Sequence, residues 1–159
     1  MMSAEIDQPD TGRFVGVEHR YPVRVYFEDT DLSGVVYHAN YLRFMERARS
    51  DMLRLAGIDQ RAAFEGGEGA YAVADLHIRY RAPARLDDAL LVVSTLTQVR
   101  VSSVVIHQQV RRTELVLADA VVTAALVAPS GRPRRQPPAW TDIYRRLLPT
   151  QESQCIPSS

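Results

Sequence analysis

Four strand-like runs follow one another in the latter part of the chain, and one long amphipathic helix precedes them. The runs are Tyr71 to Tyr80, Leu90 to Val99, Ser103 to Arg112 and Leu115 to Ala128. Their links carry turn residues: Pro83 with Asp87-Asp88, then Arg100-Val101-Ser102, then a reversal near Thr113-Glu114. Links this short favour antiparallel neighbours, because a parallel crossover needs a dozen or more residues. A further strand is predicted over Tyr21 to Phe27, "YPVRVYF", where the apolar residues alternate. Tyr41 to Ala56 changes period. Tyr41, Met45, Ala48, Met52 and Leu55 recur at three or four, with Phe44 and Ala56 beside them, and Arg43, Arg47, Ser50 and Arg54 fall opposite. Asn40 is a candidate N-cap and Gly57 a candidate stop. The expectation is an α+β fold: one helix against a five-stranded antiparallel sheet.

A single helix covers a sheet only partly. The later strands ("ALLVVSTL", "SVVIHQQV", "ADAVVTAALV") are more apolar than a solvated face requires. A second copy of the chain is the economical cover, so a homo-oligomer is expected. Residues 1–18 read as a loose leader, 19–148 as one domain and 149–159 as a polar tail. "AAFEGGEGAY" reads as a loop, and a short helix is expected around Tyr144 to Leu148, beyond the Pro- and Arg-rich "SGRPRRQPPAW".

Composition excludes several classes. Nineteen basic and nineteen acidic residues cancel, so no global field recruits nucleic acid or a membrane surface. Every basic residue is Arg, whose planar fork suits phosphate and carboxylate partners. The one cysteine, Cys155, sits in the polar tail and supports neither a disulfide framework nor a thiolate metal site. The N-terminus lacks the basic and apolar regions of a secretory signal, and no apolar run approaches the ~20 residues of a membrane span. A cytoplasmic protein is expected.

Between the first strand and the helix stands "YFEDTDLSGVVYHANY", with Glu28, Asp29 and Asp31 close together. Strand parity, extended beyond Phe27, puts Asp29 and Asp31 on the side of Val23, Val25 and Phe27. Carboxylates aimed there either satisfy backbone donors in the turn or are functionally perturbed. Gly34 permits a tight turn, and His38-Ala39-Asn40 leads into the helix, whose first N–H groups are free to bind an oxyanion. A base or nucleophile, an orienter and an oxyanion site within about ten residues are the parts of an acyl-transfer centre.

"RVYFEDTDLSGVVYHANYLRFMERARSDML" closely resembles the opening of hotdog-fold acyl-CoA thioesterases of the 4-hydroxybenzoyl-CoA thioesterase class. Within that class it is most similar to the YbgC-type enzymes associated with the bacterial Tol–Pal system. "RYRAPARLDD" and "GRPRRQP" match the family in order, so the resemblance spans roughly residues 20 to 145. It implies a hotdog fold, a long helix wrapped by an antiparallel sheet, assembled as dimers or tetramers with the active site between protomers. It implies that Asp31 is the catalytic carboxylate, with Tyr37, His38 and the helix start polarising the thioester carbonyl. Gly34, Val36, Asn40, Tyr41, Arg81 and Arg85 are the expected substrate contacts, the two arginines as candidates for CoA phosphates. Where relatives usually have Ala-Gly-Gly after the Asp, this chain has Leu32-Ser33-Gly34, which sets a hydroxyl beside the site.

A thiolate leaves without a strong general acid, so no metal or redox cofactor is called for. Asp31 can activate water or attack directly to give an acyl anhydride. Acyl-CoA is the expected substrate and acyl carrier protein a further candidate partner. Other residues have plainer readings. Glu46 is an alternative catalytic acid or an ion-paired helix residue beside Arg49. His77 and His107 lie on strands without metal-ligand spacing and read as packing or interface residues. "GGEG" is a poor phosphate loop, and "GRPRR" is too short a cluster for nucleic acid. A non-catalytic hotdog module binding acyl-CoA or acyl carrier protein is the competing functional class, and a hotdog dehydratase the third.

Overall fold

A single antiparallel sheet wraps one long helix in a computed structural model that describes residues 7–150. The strands are β1 (Arg13–Val15), β2 (Glu18–Arg24), β3 (Ala70–Tyr80), β4 (Ala89–Val99), β5 (Ser103–Arg112) and β6 (Leu115–Val127). The helices are α1 (His38–Ala56), α2 (Gln60–Glu65) and α3 (Pro138–Leu147). The sheet runs β1-β2-β4-β5-β6-β3, every pairing antiparallel. This is the α+β hotdog arrangement expected, with six strands rather than five.

The sixth strand comes from the stretch expected to be a loose leader. Gly16 takes a left-handed φ of 61°, which folds Arg13–Val15 back onto β2 with Phe14 opposite His19. Gly12 is tied down as well: its N–H donates to Asp51 Oδ2 of α1 at 2.9 Å. The same Asp51 oxygen accepts from His19 Nε2 at 2.7 Å, and both side chains are buried. Burial holds the His19 pKa below its ordinary value despite the hydrogen bond and charge of Asp51. The contact is therefore a neutral-histidine hydrogen bond, and it pins the β1–β2 segment to the C-terminal half of α1.

The first half of the core is Val23, Val25, Tyr41, Phe44, Met45 and Ala48 against Leu90, Val92, Val110, Ala118, Ala120 and Val122. The second half joins Met52, Leu53 and Ile58 to Leu96, Val104, Ile106 and Tyr144. Leu55, expected in the core, is exposed, and Leu53 takes that role because it faces Ile58 just beyond the helix end. α3 is longer than expected, opening on Pro138 and carrying Tyr144 into the second cluster. Tyr71, Gln136 and Tyr144 join their polar ends there, with Tyr71 and Tyr144 hydroxyls 2.7 Å apart. The expected loop after α1 contains α2, which starts where Asp59 Oδ1 accepts the Ala62 N–H at 2.9 Å. Cys155 lies outside the described residues.

Candidate active site

The segment between β2 and α1 is built by its own short-range bonds. β2 ends at Arg24, and a 3-10 turn over Phe27–Asp29 rotates the chain out of strand parity. The extended-strand expectation for Asp29 and Asp31 therefore fails, and the two carboxylates part company. Asp29 is buried, its Oδ2 accepting the Tyr26 N–H at 2.8 Å and its Oδ1 the Asn40 side-chain amide at 2.9 Å. These bonds stitch the turn to the first turn of α1. Asp29 is a structural carboxylate.

Asp31 faces solvent. The Gly34 N–H donates to the Asp31 carbonyl at 3.0 Å, a tight turn that Gly34 closes with φ of 81°. Within it Asp31 Oδ1 accepts both the Ser33 N–H, at 2.8 Å, and the Ser33 hydroxyl. Those two bonds, the hydroxyl first, hold the Asp31 pKa below the ordinary carboxylate value, and the charge of His38 adds to them weakly. Oδ2 makes no hydrogen bond among the described residues. One oxygen is held by Ser33, and the other is left without a partner among the described residues.

α1 begins at His38, with Tyr37 rather than Asn40 as its N-cap, because the Asn40 side chain is committed to Asp29. Tyr37 and His38 are exposed, and their rings meet at a tilt of 57° with centroids 4.5 Å apart. The Tyr80 hydroxyl donates to the His38 carbonyl oxygen at 2.8 Å, and its ring meets His38 edge-on at 6.3 Å. Tyr80 was missed in the sequence, although its alternation with Ile78 and Leu76 on β3 was open to a parity argument. Among the expected substrate contacts, Val36 is buried and donates its N–H to the Ala84 carbonyl at 2.8 Å. Tyr41 is buried, its hydroxyl accepting the Ala84 N–H at 3.0 Å, and burial pushes its pKa up. Arg85 bridges Val35 through its backbone. Val36, His38, Tyr41, Tyr80 and Arg81 line one open cleft, so the loop, the helix start and the end of β3 do meet.

A second cavity lies farther along α1. Leu53, Tyr71, Val104, Ile106, Ala124 and Tyr144 form its apolar wall, and Glu46, Arg49 and Ser50 its polar mouth. Arg49 donates to Glu46 Oε2 at 2.7 Å and to the buried Gln108 Oε1 at 2.9 Å. Glu46 is thus the ion-paired helix residue expected beside Arg49. His107 hydrogen-bonds to Asp119 at 2.6 Å, and His77 is exposed. No grouping of three or more His, Cys, Asp or Glu suited to a metal occurs among the described residues.

Residues 33–126 match the family model of the thioesterase superfamily. The chain belongs to the thioesterase superfamily. The match begins two residues after Asp31. The chain is 43% identical to the acyl-CoA thioesterase YbgC of Haemophilus influenzae over 107 residues, covering 67% of this chain and 79% of that one. It is also 43% identical to the acyl-CoA thioester hydrolase YbgC of Escherichia coli O6:H1 over 120 residues, 74% of this chain and 89% of the other. Among solved structures, a probable thioesterase from Bartonella henselae is 36% identical, with TM-score 0.72 over 76% of this chain and 99% of that one. The 1,4-dihydroxy-2-naphthoyl-CoA thioesterase Slr0204 from Synechocystis superposes with TM-score 0.75 at 26% identity, over 80% of this chain and 96% of its own.

Proposed function

We propose that this superfamily member hydrolyses acyl-CoA thioesters to a carboxylic acid and CoA, with Asp31 as the reacting carboxylate. The observation that carries the role of Asp31 is the contrast within one turn: Asp29 is spent on structure, while Asp31 is ionised, exposed and oriented through one oxygen only. A module that only bound acyl groups has no use for such a carboxylate.

Asp31 Oδ2 takes a proton from water as the water oxygen attacks the thioester carbonyl, or Oδ2 attacks the carbonyl itself. In the first route the C–O bond forms, negative charge moves to the carbonyl oxygen, and collapse expels the CoA thiolate. In the second, water cleaves the resulting anhydride. The N–H groups that open α1 at His38 and Ala39 are the candidate donors for the oxyanion, and Tyr37 and His38 flank it. No metal or redox group enters either route.

The assembly read here is a homo-oligomer joined through β3. That strand has one edge unpaired among the described residues and carries exposed Val73 and Leu76. Tyr71 and Tyr80 stand at opposite ends of it, about 30 Å apart at ~3.4 Å per residue. Antiparallel pairing of two β3 edges sets the Tyr80 and His38 end of one copy beside the Tyr71 end of its partner. The open cleft and the apolar cavity would then share one chamber, with the acyl group in the cavity. From the resemblance of its opening sequence to the family, we further propose a cytoplasmic tetramer associated with the Tol–Pal system, with carrier protein as an alternative source of acyl groups. No helix among the described residues is long and apolar enough to cross a membrane.

Free-thiol release from short aliphatic, long aliphatic and aromatic acyl-CoAs tests the reading, with wild type and Asp31→Asn in parallel. The expected result is turnover of at least one thioester and a loss of ~10²-fold or more in the variant, which stays folded. Full activity in Asp31→Asn would remove the carboxylate from the mechanism.

A further inference from the structure

A basic cluster occupies the sheet face turned away from α1, outside the cleft at His38. His107 Nε2 and Asp119 Oδ1 lie 2.6 Å apart there, and Arg81 Nη2 is 3.6 Å from the other Asp119 oxygen. One carboxylate oxygen is held by His107 and the other lies beside Arg81, so Asp119 orients both side chains. Arg79 stands opposite Asp119 in the β3–β6 register, and His77 stands opposite Val121, which also faces His107 from the other side. His77, Arg79, Arg81, His107 and Asp119 line one depression. Four basic side chains therefore surround one carboxylate. The side chains of His77 and Arg79 make no hydrogen bond or ion pair among the described residues.

Arg81 connects this depression to the reacting centre, because it lines both the depression and the cleft beside His38. Tyr80 turns inward to the His38 carbonyl while its neighbours Arg79 and Arg81 turn outward, as strand alternation requires. Tyr80 lies three residues beyond His77, about 10 Å along the strand. A molecule reacting at His38 and passing Arg81 around the end of β3 would reach the depression with its other end.

We infer that the His77, Arg79, Arg81 and His107 depression binds the phosphate groups at the nucleotide end of CoA. The inference rests on the acyl-CoA reading above. A CoA thioester carries its phosphates at the far end of a flexible arm, so the reacting carbonyl and the charged end occupy different faces of one strand. Arginine forks bind phosphate oxygens in pairs, and the unpartnered Arg79 gives up no interaction within the chain to do so. Pairing of two chains through the β3 edge leaves this face open.

The experiment compares wild type with the double variant His77→Asn/Arg79→Gln on three thioesters of one acyl group: CoA, dephospho-CoA and the phosphate-free N-acetylcysteamine. The expected result is a KM about tenfold higher for acyl-CoA, with kcat within twofold and no KM change for the N-acetylcysteamine thioester. Loss of the effect with dephospho-CoA assigns the 3′-phosphate, and its persistence assigns the diphosphate; either supports the site. An equal rise for all three thioesters, or none for acyl-CoA, overturns it. Calorimetric titration with CoA separates this from the hydrolysis reading. Binding of CoA that weakens about tenfold in the variant supports the site even where no thioester turns over. Unaltered CoA binding overturns it, as does inorganic phosphate binding as tightly as CoA.

Discussion

The Ser33 hydroxyl donates to Asp31 Oδ1, the same oxygen that takes the Ser33 backbone N–H at 2.8 Å. The family resemblance leads one to expect glycine where Ser33 stands, which makes the hydroxyl bond a feature to test. It favours the ionised carboxylate. If Asp31 is the reacting carboxylate proposed above, the expected consequences are a weaker base at neutral pH and a wider working range on the acid side.

Ser33→Ala removes the larger of the two stabilising bonds and keeps the backbone one. The Asp31 pKa then rises, so the acid limb of kcat/KM moves to higher pH. A pH profile of wild type and variant on one acyl-CoA measures this. Coincident profiles would show that Asp31 does not set the acid limb.

Asp29 and Asp31 separate stability from chemistry. Asp29→Ala leaves the Tyr26 N–H and the buried Asn40 amide without their carboxylate partner, at a cost of about 1–3 kcal/mol. The denaturant midpoint should fall clearly for Asp29→Ala and scarcely for Asp31→Asn. A matched fall in both would place Asp31 in the scaffold as well.

His19 makes stability depend on pH. Its folded pKa is depressed, chiefly by burial, so below about pH 6.5 the unfolded chain takes up a proton that the folded chain refuses. The fold therefore loses stability as pH drops through that value. His19→Gln keeps an amide donor for Asp51 and removes the titration. Urea midpoints at pH 7.5 and 5.5 should differ more for wild type than for the variant.

Tyr80→Phe deletes the bond to the His38 carbonyl and leaves the ring in place. A neutral hydrogen bond contributes about 0.5–1.5 kcal/mol, so kcat should fall by up to about tenfold with the fold intact. An unchanged kcat would mean that the helix start holds its position without β3.

Charge on the free edge tests the assembly. Leu76→Asp adds a carboxylate to each of two strands that would lie side by side, so the chain should run as a smaller species in light scattering. Activity should fall with the assembly, since cavity and cleft would no longer meet. An unchanged mass would exclude the β3 edge as the joint.

Periodicity carried much of the fold. β5 was legible to the residue, since Ser103–Arg112 is the run its alternation marks, and α1 was found from its apolar stripe apart from Leu55. β1 escaped because three residues have no readable period and depend on a turn at Gly16. Parity failed after Arg24 because Asp29 caps Tyr26 and turns the backbone, which no count of alternating residues reveals. The neighbourhood of Asp31 was visible in the sequence. Which aspartate was free was not, because hydrogen bonds of the folded loop decide it. The outer cluster was hidden for a related reason: His77 and His107 are distant in sequence and meet only through β6.

The sheet order has a consequence for how the protein is made. β3 is followed in the chain by β4, yet among the described residues its only strand partner is β6. On the ribosome, residues 70–80 must therefore wait, with both edges bare, until residues 115–127 have emerged. Tyr80 cannot brace His38 before that moment, so the centre is completed only when nearly the whole sheet exists. Long-range pairing of this kind is slow and exposes apolar strand to other chains. The nascent segment around Val73 and Leu76 is where a holding chaperone would have most to do.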